Sequence, residues 1–100
     1  MDMEKIIHYN SLYDCYKPLF TEKQQLYFQD YYFNNLSLGE IADNNNVSRN
    51  AVHNQLKIIE ARLDELEVLL GLCKKRKEVI RLLNGKVDDE LLEKIKNIYA

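Results

Sequence analysis

Ile6, Tyr9, Tyr13 and Tyr16 recur at three- and four-residue spacing and draw one apolar stripe along a first helix. That helix is predicted over about 2–17, ahead of Pro18. Thr21 caps a second helix, and Gln24 three residues on supplies the reciprocal half of a capping box. Leu26, Tyr27, Phe28, Tyr31, Tyr32 and Phe33 make this helix apolar over much of its surface, which places it at the centre of the core. Asn34-Asn35 ends it. Ser37 and Glu40 form a second capping box for a short third helix with Leu38, Ile41 and Ala42 on its buried side. Asn44-Asn45-Asn46 follows, a run of the non-glycine residue that best tolerates the left-handed backbone of a tight turn.

Ser48 caps the fourth helix, predicted to continue unbroken to about Leu70. Val52, Leu56, Ile59, Leu63, Leu66 and Leu70 follow one another at alternating steps of four and three. Such a stripe needs a partner along its whole length, about 33 Å for 22 residues. The partner is the first helix, the two helices that follow, or, for Ile59, Leu63, Leu66 and Leu70, the same segment of a second copy. The generous apolar surface of so small a chain favours the homodimer. Gly71 breaks the chain. A fifth helix carries Leu72, Val79, Ile80, Leu82 and Leu83 and stops at Asn84-Gly85. Asp88 or Asp89 starts the last, with Leu91, Leu92, Ile95, Ile98 and Tyr99 on one face. The fold class is therefore all-α, with a helix-turn-helix domain over 1–70 and a C-terminal helical extension over 71–100. The extension packs on the same core or on a second subunit.

The segment L-G-E-I-A-D-N-N-N-V-S-R-N-A-V-H-N-Q-L, from Leu38 to Leu56, has the helix-turn-helix pattern. Ala42 is small where two helices cross closely, and Asn46 stands where such turns usually have glycine. Val47 and Val52 fill the angle between the helices, while Asp43 and Asn44 face solvent. A recognition helix presents its N-terminal turns to the major groove, which selects Ser48, Arg49, Asn50, His53, Asn54 and Lys57. Arginine can pair bidentately with guanine and asparagine with adenine, and Lys57 can sit on phosphate. The competing reading makes these residues only the solvated face of a long helix.

Charge tempers the DNA reading. The 100 residues carry a net charge of −2, which is not the footprint of a strong nucleic-acid binder. Between Thr21 and Arg62, Lys23, Arg49, Lys57 and Arg62 face five acidic residues, Glu22, Asp30, Glu40, Asp43 and Glu60. Non-specific DNA affinity comes from neutralising phosphates, so this module alone should bind weakly. The basic cluster lies elsewhere, at Lys74, Lys75, Arg76 and Lys77 with Arg81 nearby. It is either a solvated face or a contact for an RNA or DNA backbone or an acidic protein.

Apolar residues make up 46% and charged residues 30% of the chain, an ordinary globular balance. No apolar run approaches a membrane span and no signal-peptide layout is present, so a cytoplasmic protein is expected. Cys15 and Cys73 make neither a disulfide framework nor a zinc pattern and read as small buried apolar residues. His8 and Cys15 share a helix face but lack a third ligand, so no metal or other cofactor is expected. No nucleophile–histidine–acid arrangement or phosphate loop is visible, and an enzyme is not expected. The tyrosines of the first two helices could offer a base-stacking platform, but their spacing assigns them to the core.

T-E-K-Q-Q-L-Y-F, L-S-L-G-E-I-A and V-S-R-N-A-V, within 21–56, resemble the C-terminal promoter-reading domain of sigma factors. The whole chain is still more similar to the YlxM-type helix-turn-helix proteins of low-GC bacteria. The tyrosine-rich first helix, L-S-L-G-E-I-A, V-S-R-N-A-V-H and the leucine-rich continuation carry that likeness over about 5–80. It implies an all-helical, dimeric protein described as a regulator. The family's gene habitually lies beside that of the signal recognition particle GTPase, which makes that GTPase or its RNA candidate partners. Sigma-type DNA contacts carry over to Ser48, Arg49, Asn50, His53 and Lys57. Asn45 departs from the pattern, standing where related proteins usually have an apolar or aromatic residue. Two alternatives stay open: a sequence-specific transcriptional regulator unrelated to secretion, and a purely structural or interaction dimer.

Overall fold

The computed structural model describes residues 2–99. Its elements run α1 (Met3–Tyr16), a 3-10 turn (Lys17–Leu19), α2 (Glu22–Tyr32), α3 (Leu38–Asn45), α4 (Arg49–Leu70), α5 (Leu72–Leu83) and α6 (Asp89–Ile98), with no strand among the described residues. The fold is all-α with a helix-turn-helix at α3–α4. Five of the six α-helix starts among the described residues follow from a local chemical cue. Asp2, Thr21, Ser37, Ser48 and Asp88 each accept a backbone N–H in the first turn of their helix. Both capping boxes close reciprocally, Thr21 with Gln24 and Ser37 with Glu40.

The stripe of α4 has its partners within the chain. Ile59, Leu63 and Leu66 are buried with Leu12, Tyr13, Tyr16, Phe20, Phe28 and Tyr32, so α4 packs on α1 and α2. This corrects the expectation that Ile59, Leu63, Leu66 and Leu70 form a dimer interface: the first three lie in the monomer's own core, and only Leu70 is exposed. A second cluster of Tyr27, Ile41, Ala42, Val52 and Leu56 fills the angle between α2, α3 and α4. The rings of Tyr13, Phe28 and Tyr32 stack at 4.1 and 4.4 Å between centroids. Such offset pairs add to area burial and commit these tyrosines to the core. Leu26 and Phe33 depart from the predicted core helix, each being about half exposed.

Buried polar groups are tied together. Glu60, 6% exposed, accepts from the Tyr32 hydroxyl at 2.9 Å and pairs with Lys5 at 3.2 Å. The burial of Tyr32 and its bond to Glu60 push the phenol well above its ordinary value.

The cysteines require a second correction. Cys15 and Cys73 are joined as a disulfide with their Cα atoms 5.8 Å apart, fastening α5 to α1. Neither free apolar thiols nor a metal ligand at Cys15 survives that geometry. Spacing alone gives no hint of it, because the residues are 58 apart and meet only once α5 folds back across α1. Nearby, Gly71 ends α4 in the left-handed region at φ 60°, and α5 starts without a side-chain cap of its own. Glu67 substitutes, accepting from the N–H groups of Cys73 and Lys74 at 3.1 Å each. The Tyr16 hydroxyl donates to Glu67 at 2.6 Å and accepts from the Leu72 N–H at 3.0 Å. Burial would raise the Glu67 carboxyl. These donors and the charge of Lys77 outweigh it and hold the group below its ordinary range.

Candidate nucleic-acid interface

The turn between α3 and α4 sets the direction of α4. Asn46 adopts the left-handed conformation at φ 54°, where asparagine substitutes for glycine with least strain. The Val47 N–H then reaches back to the Ala42 carbonyl at 3.1 Å. Ser48 caps α4 by accepting from the Ala51 N–H at 3.0 Å. Asn45 turns its amide back onto the Ile41 carbonyl at 2.7 Å, which satisfies the polar side chain under the turn. Val52 is fully buried and Val47 packs against the same cluster, so one face of α4 is wedged into α2 and α3.

The opposite face is thereby turned outward. Ser48, Arg49, Asn50, His53, Asn54 and Lys57 are all exposed. Arg49, His53 and Lys57 stand four apart and form one row, with Asn50 and Asn54 in the next. Arg49 makes no ion pair among the described residues, whereas Lys57 lies 3.7 Å from Glu60. Asp43 and Glu40 are exposed on α3, and the bonds Glu40 accepts from Ser37 hold its carboxyl below the ordinary value. A cleft of about 530 Å³ lies beside Asn54, and its wall includes Thr21, Lys23 and Gln24 at the start of α2. Nothing in the sequence marks these three residues as part of one surface with Asn54. Only the packing of α2 against α4 brings them alongside α4.

Of the five cations expected as one basic patch, Arg76, Lys77 and Arg81 line a cleft shared with α1 and α6. Lys77 also borders a groove with Lys74 and His8, and Lys74 a further one with Asp64 and Val68. Lys75 is exposed. His8 itself lies 2.8 Å from Asp64. Among the described residues, no group of three or more His, Cys, Asp or Glu is placed to hold a metal ion. No helix among them is long and apolar enough to cross a membrane.

The model of the UPF0122 family, described as "Putative helix-turn-helix protein, YlxM / p13 like", matches residues 3–99. The chain belongs to the UPF0122 family. A UPF0122 protein of Bacillus pumilus is 42% identical over 100 residues, covering all of this chain and 83% of the relative. One from Halalkalibacterium halodurans is 42% identical over 91 residues, covering 88% of this chain and 84% of the relative. A Bacillus cereus relative is 46% identical over 81 residues, covering 81% and 74% of the two chains. No solved structure matches the chain. In this UPF0122 chain the helix-turn-helix is formed by α3, the left-handed turn at Asn46 and the start of α4.

Proposed function

We propose that this UPF0122 chain is a non-enzymatic regulator that binds DNA through the outer face of α4. The observation that carries the reading is the exposed row Arg49–His53–Lys57 with Asn50 beside it, on a helix whose other face is wedged into its own domain. Arg49 and Asn50 read base edges, Lys57 and His53 contact phosphate, and Ser48 fixes the start of the helix. The beginning of α2, with Lys23 and Thr21, meets the backbone strand beside Asn54. In this reading residues 1–70 form the DNA-binding domain and 71–100 the extension.

A single module with so few cations binds weakly, and two copies on adjacent half-sites remedy that. The homodimer we propose uses the exposed end of α4, where Val68 is 85% and Leu69 68% exposed, in place of the buried leucines. Val68→Asp with Leu69→Asp is expected to give monomers in sedimentation velocity, and an unchanged dimer rejects this surface.

Selection of fragments from genomic DNA tests the central reading. The wild-type protein is expected to enrich a discrete set of sites. Arg49→Ala and Asn50→Ala lose them, and neutralising Lys74 and Lys75 does not. A second reading follows from the basic residues of α5 and the family resemblance, and makes the chain an adaptor for the signal recognition particle GTPase or its RNA. It predicts the reverse pattern, with loss of partner capture on changes at 74–81.

A further inference from the structure

One concave surface gathers positive charge in a chain whose net charge is −2. The end of α1 and the following turn, the outer face of α5 and the last turn of α6 border an open cleft of about 750 Å³. Lys17, Arg76, Lys77, Arg81 and Lys96 line it, drawn from three parts of the sequence. The carboxylate on its wall is Asp14, already held by Arg76 at 3.2 Å. Arg81 and Lys96 make ion pairs with Glu78 and Glu93 one turn away on their own helices. Exposed pairs of that kind are worth about 0–1 kcal/mol and exchange readily for a stronger anion. Lys17 makes no ion pair among the described residues, and Lys77 forms no close pair there although its charge also favours the Glu67 carboxylate. Between the cations, Pro18, Ile80 and Tyr99 supply apolar wall.

This combination selects a ligand class. A lone phosphate would leave most of the volume empty, and pockets of roughly 300–1,000 Å³ suit small organic ligands. Several cations around one cleft call for more than one phosphate, while an aromatic ring beside cations suits a planar base. The Cys15–Cys73 bond fixes two of the walls, α1 and α5, relative to each other, which lowers the ordering cost of binding on that side. We propose that the α1–α5–α6 cleft is a binding site for a nucleoside polyphosphate, its phosphates on Lys17, Lys77 and Arg81 and its base against Tyr99. The site is separate from the outer face of α4 and does not rest on DNA binding.

Isothermal titration of the full chain, unreduced, with ATP, inorganic pyrophosphate and adenosine tests it. ATP is expected to bind more tightly than pyrophosphate, with adenosine weakest. Lys77→Glu with Arg81→Glu is expected to weaken ATP by about tenfold or more, as loss of charged hydrogen-bond partners does. Arg49→Ala is expected to leave ATP binding unchanged. Circular dichroism checks that the double variant is folded, and Lys17→Glu gives an independent charge reversal on another element. Absence of ATP binding overturns the proposal, and so does binding insensitive to both charge reversals. Capture of an oligoribonucleotide by this cleft without binding of ATP also overturns it, in favour of a strand contact.

Discussion

Breaking the Cys15–Cys73 link should destabilise the chain by an amount that follows from its topology. The bond closes a segment of 58 residues. Loop-closure entropy for a segment of that length gives about 4 kcal/mol at 25 °C. Set against a total of about 5–15 kcal/mol for a small domain, this is a large share. The effect should also be unevenly distributed. Of the residues of α5 only Cys73 is buried, and α6 packs chiefly on α5, so the covalent tie is the firmest hold on the last 30 residues. Urea unfolding followed by circular dichroism, with and without a phosphine reductant, measures the global term. The Cys15→Ala/Cys73→Ala variant should match the reduced wild type and no longer respond to reductant. Amide hydrogen exchange reads the distribution: reduction should accelerate exchange in α5 and α6 more than in α2–α4. Equal unfolding free energies with and without reductant, together with unchanged exchange in α5, would refute the reasoning.

Three other outcomes follow from the packing. Leu63→Ala should cost about 2–5 kcal/mol in chemical denaturation without altering the sedimenting species, since Leu63 is fully buried within the monomer. Asn46→Val should lose about 1–2 kcal/mol of thermal stability because a β-branched residue must adopt φ 54°, whereas Asn46→Gly should be near neutral. Glu67 is held below its ordinary pKa of 4.5 in the folded chain, so its contribution is fully present above that value. It is lost as pH falls through the lowered folded value. Glu67→Gln should therefore flatten the acid side of a pH series of melting temperatures, and an unchanged acid limb would discount the cap.

Helices were legible in the sequence wherever a local signal specified them. Ser37 with Glu40, Thr21 with Gln24, and Ser48 each announce a helix start in neighbouring residues, and each closes its cap. The turn at Asn46 and the wedge of Val52 were legible for the same reason. What the sequence left open is which element answers which stripe. The spacing of Ile59, Leu63 and Leu66 is the same whether the partner is α1 or a second copy, and only the tertiary arrangement chooses α1 and α2. Contacts at long separation were hidden altogether: Cys15 with Cys73, Tyr16 with Glu67, and the meeting of Lys17 with Lys96 in one cleft. One clue to the Glu67 cap was present. Gly71 offers α5 no capping side chain, so its first N–H groups had to find an acceptor elsewhere.

The most direct test of the central claim is a residue-resolved map of the DNA contact, by NMR chemical-shift changes on adding a fragment recovered by genomic selection. The account predicts the largest changes at Ser48, Arg49, Asn50, His53 and Lys57, with smaller ones at Thr21 and Lys23 and little change in α5 and α6. Changes concentrated on α5 and α6, with the outer face of α4 unmoved, would contradict it.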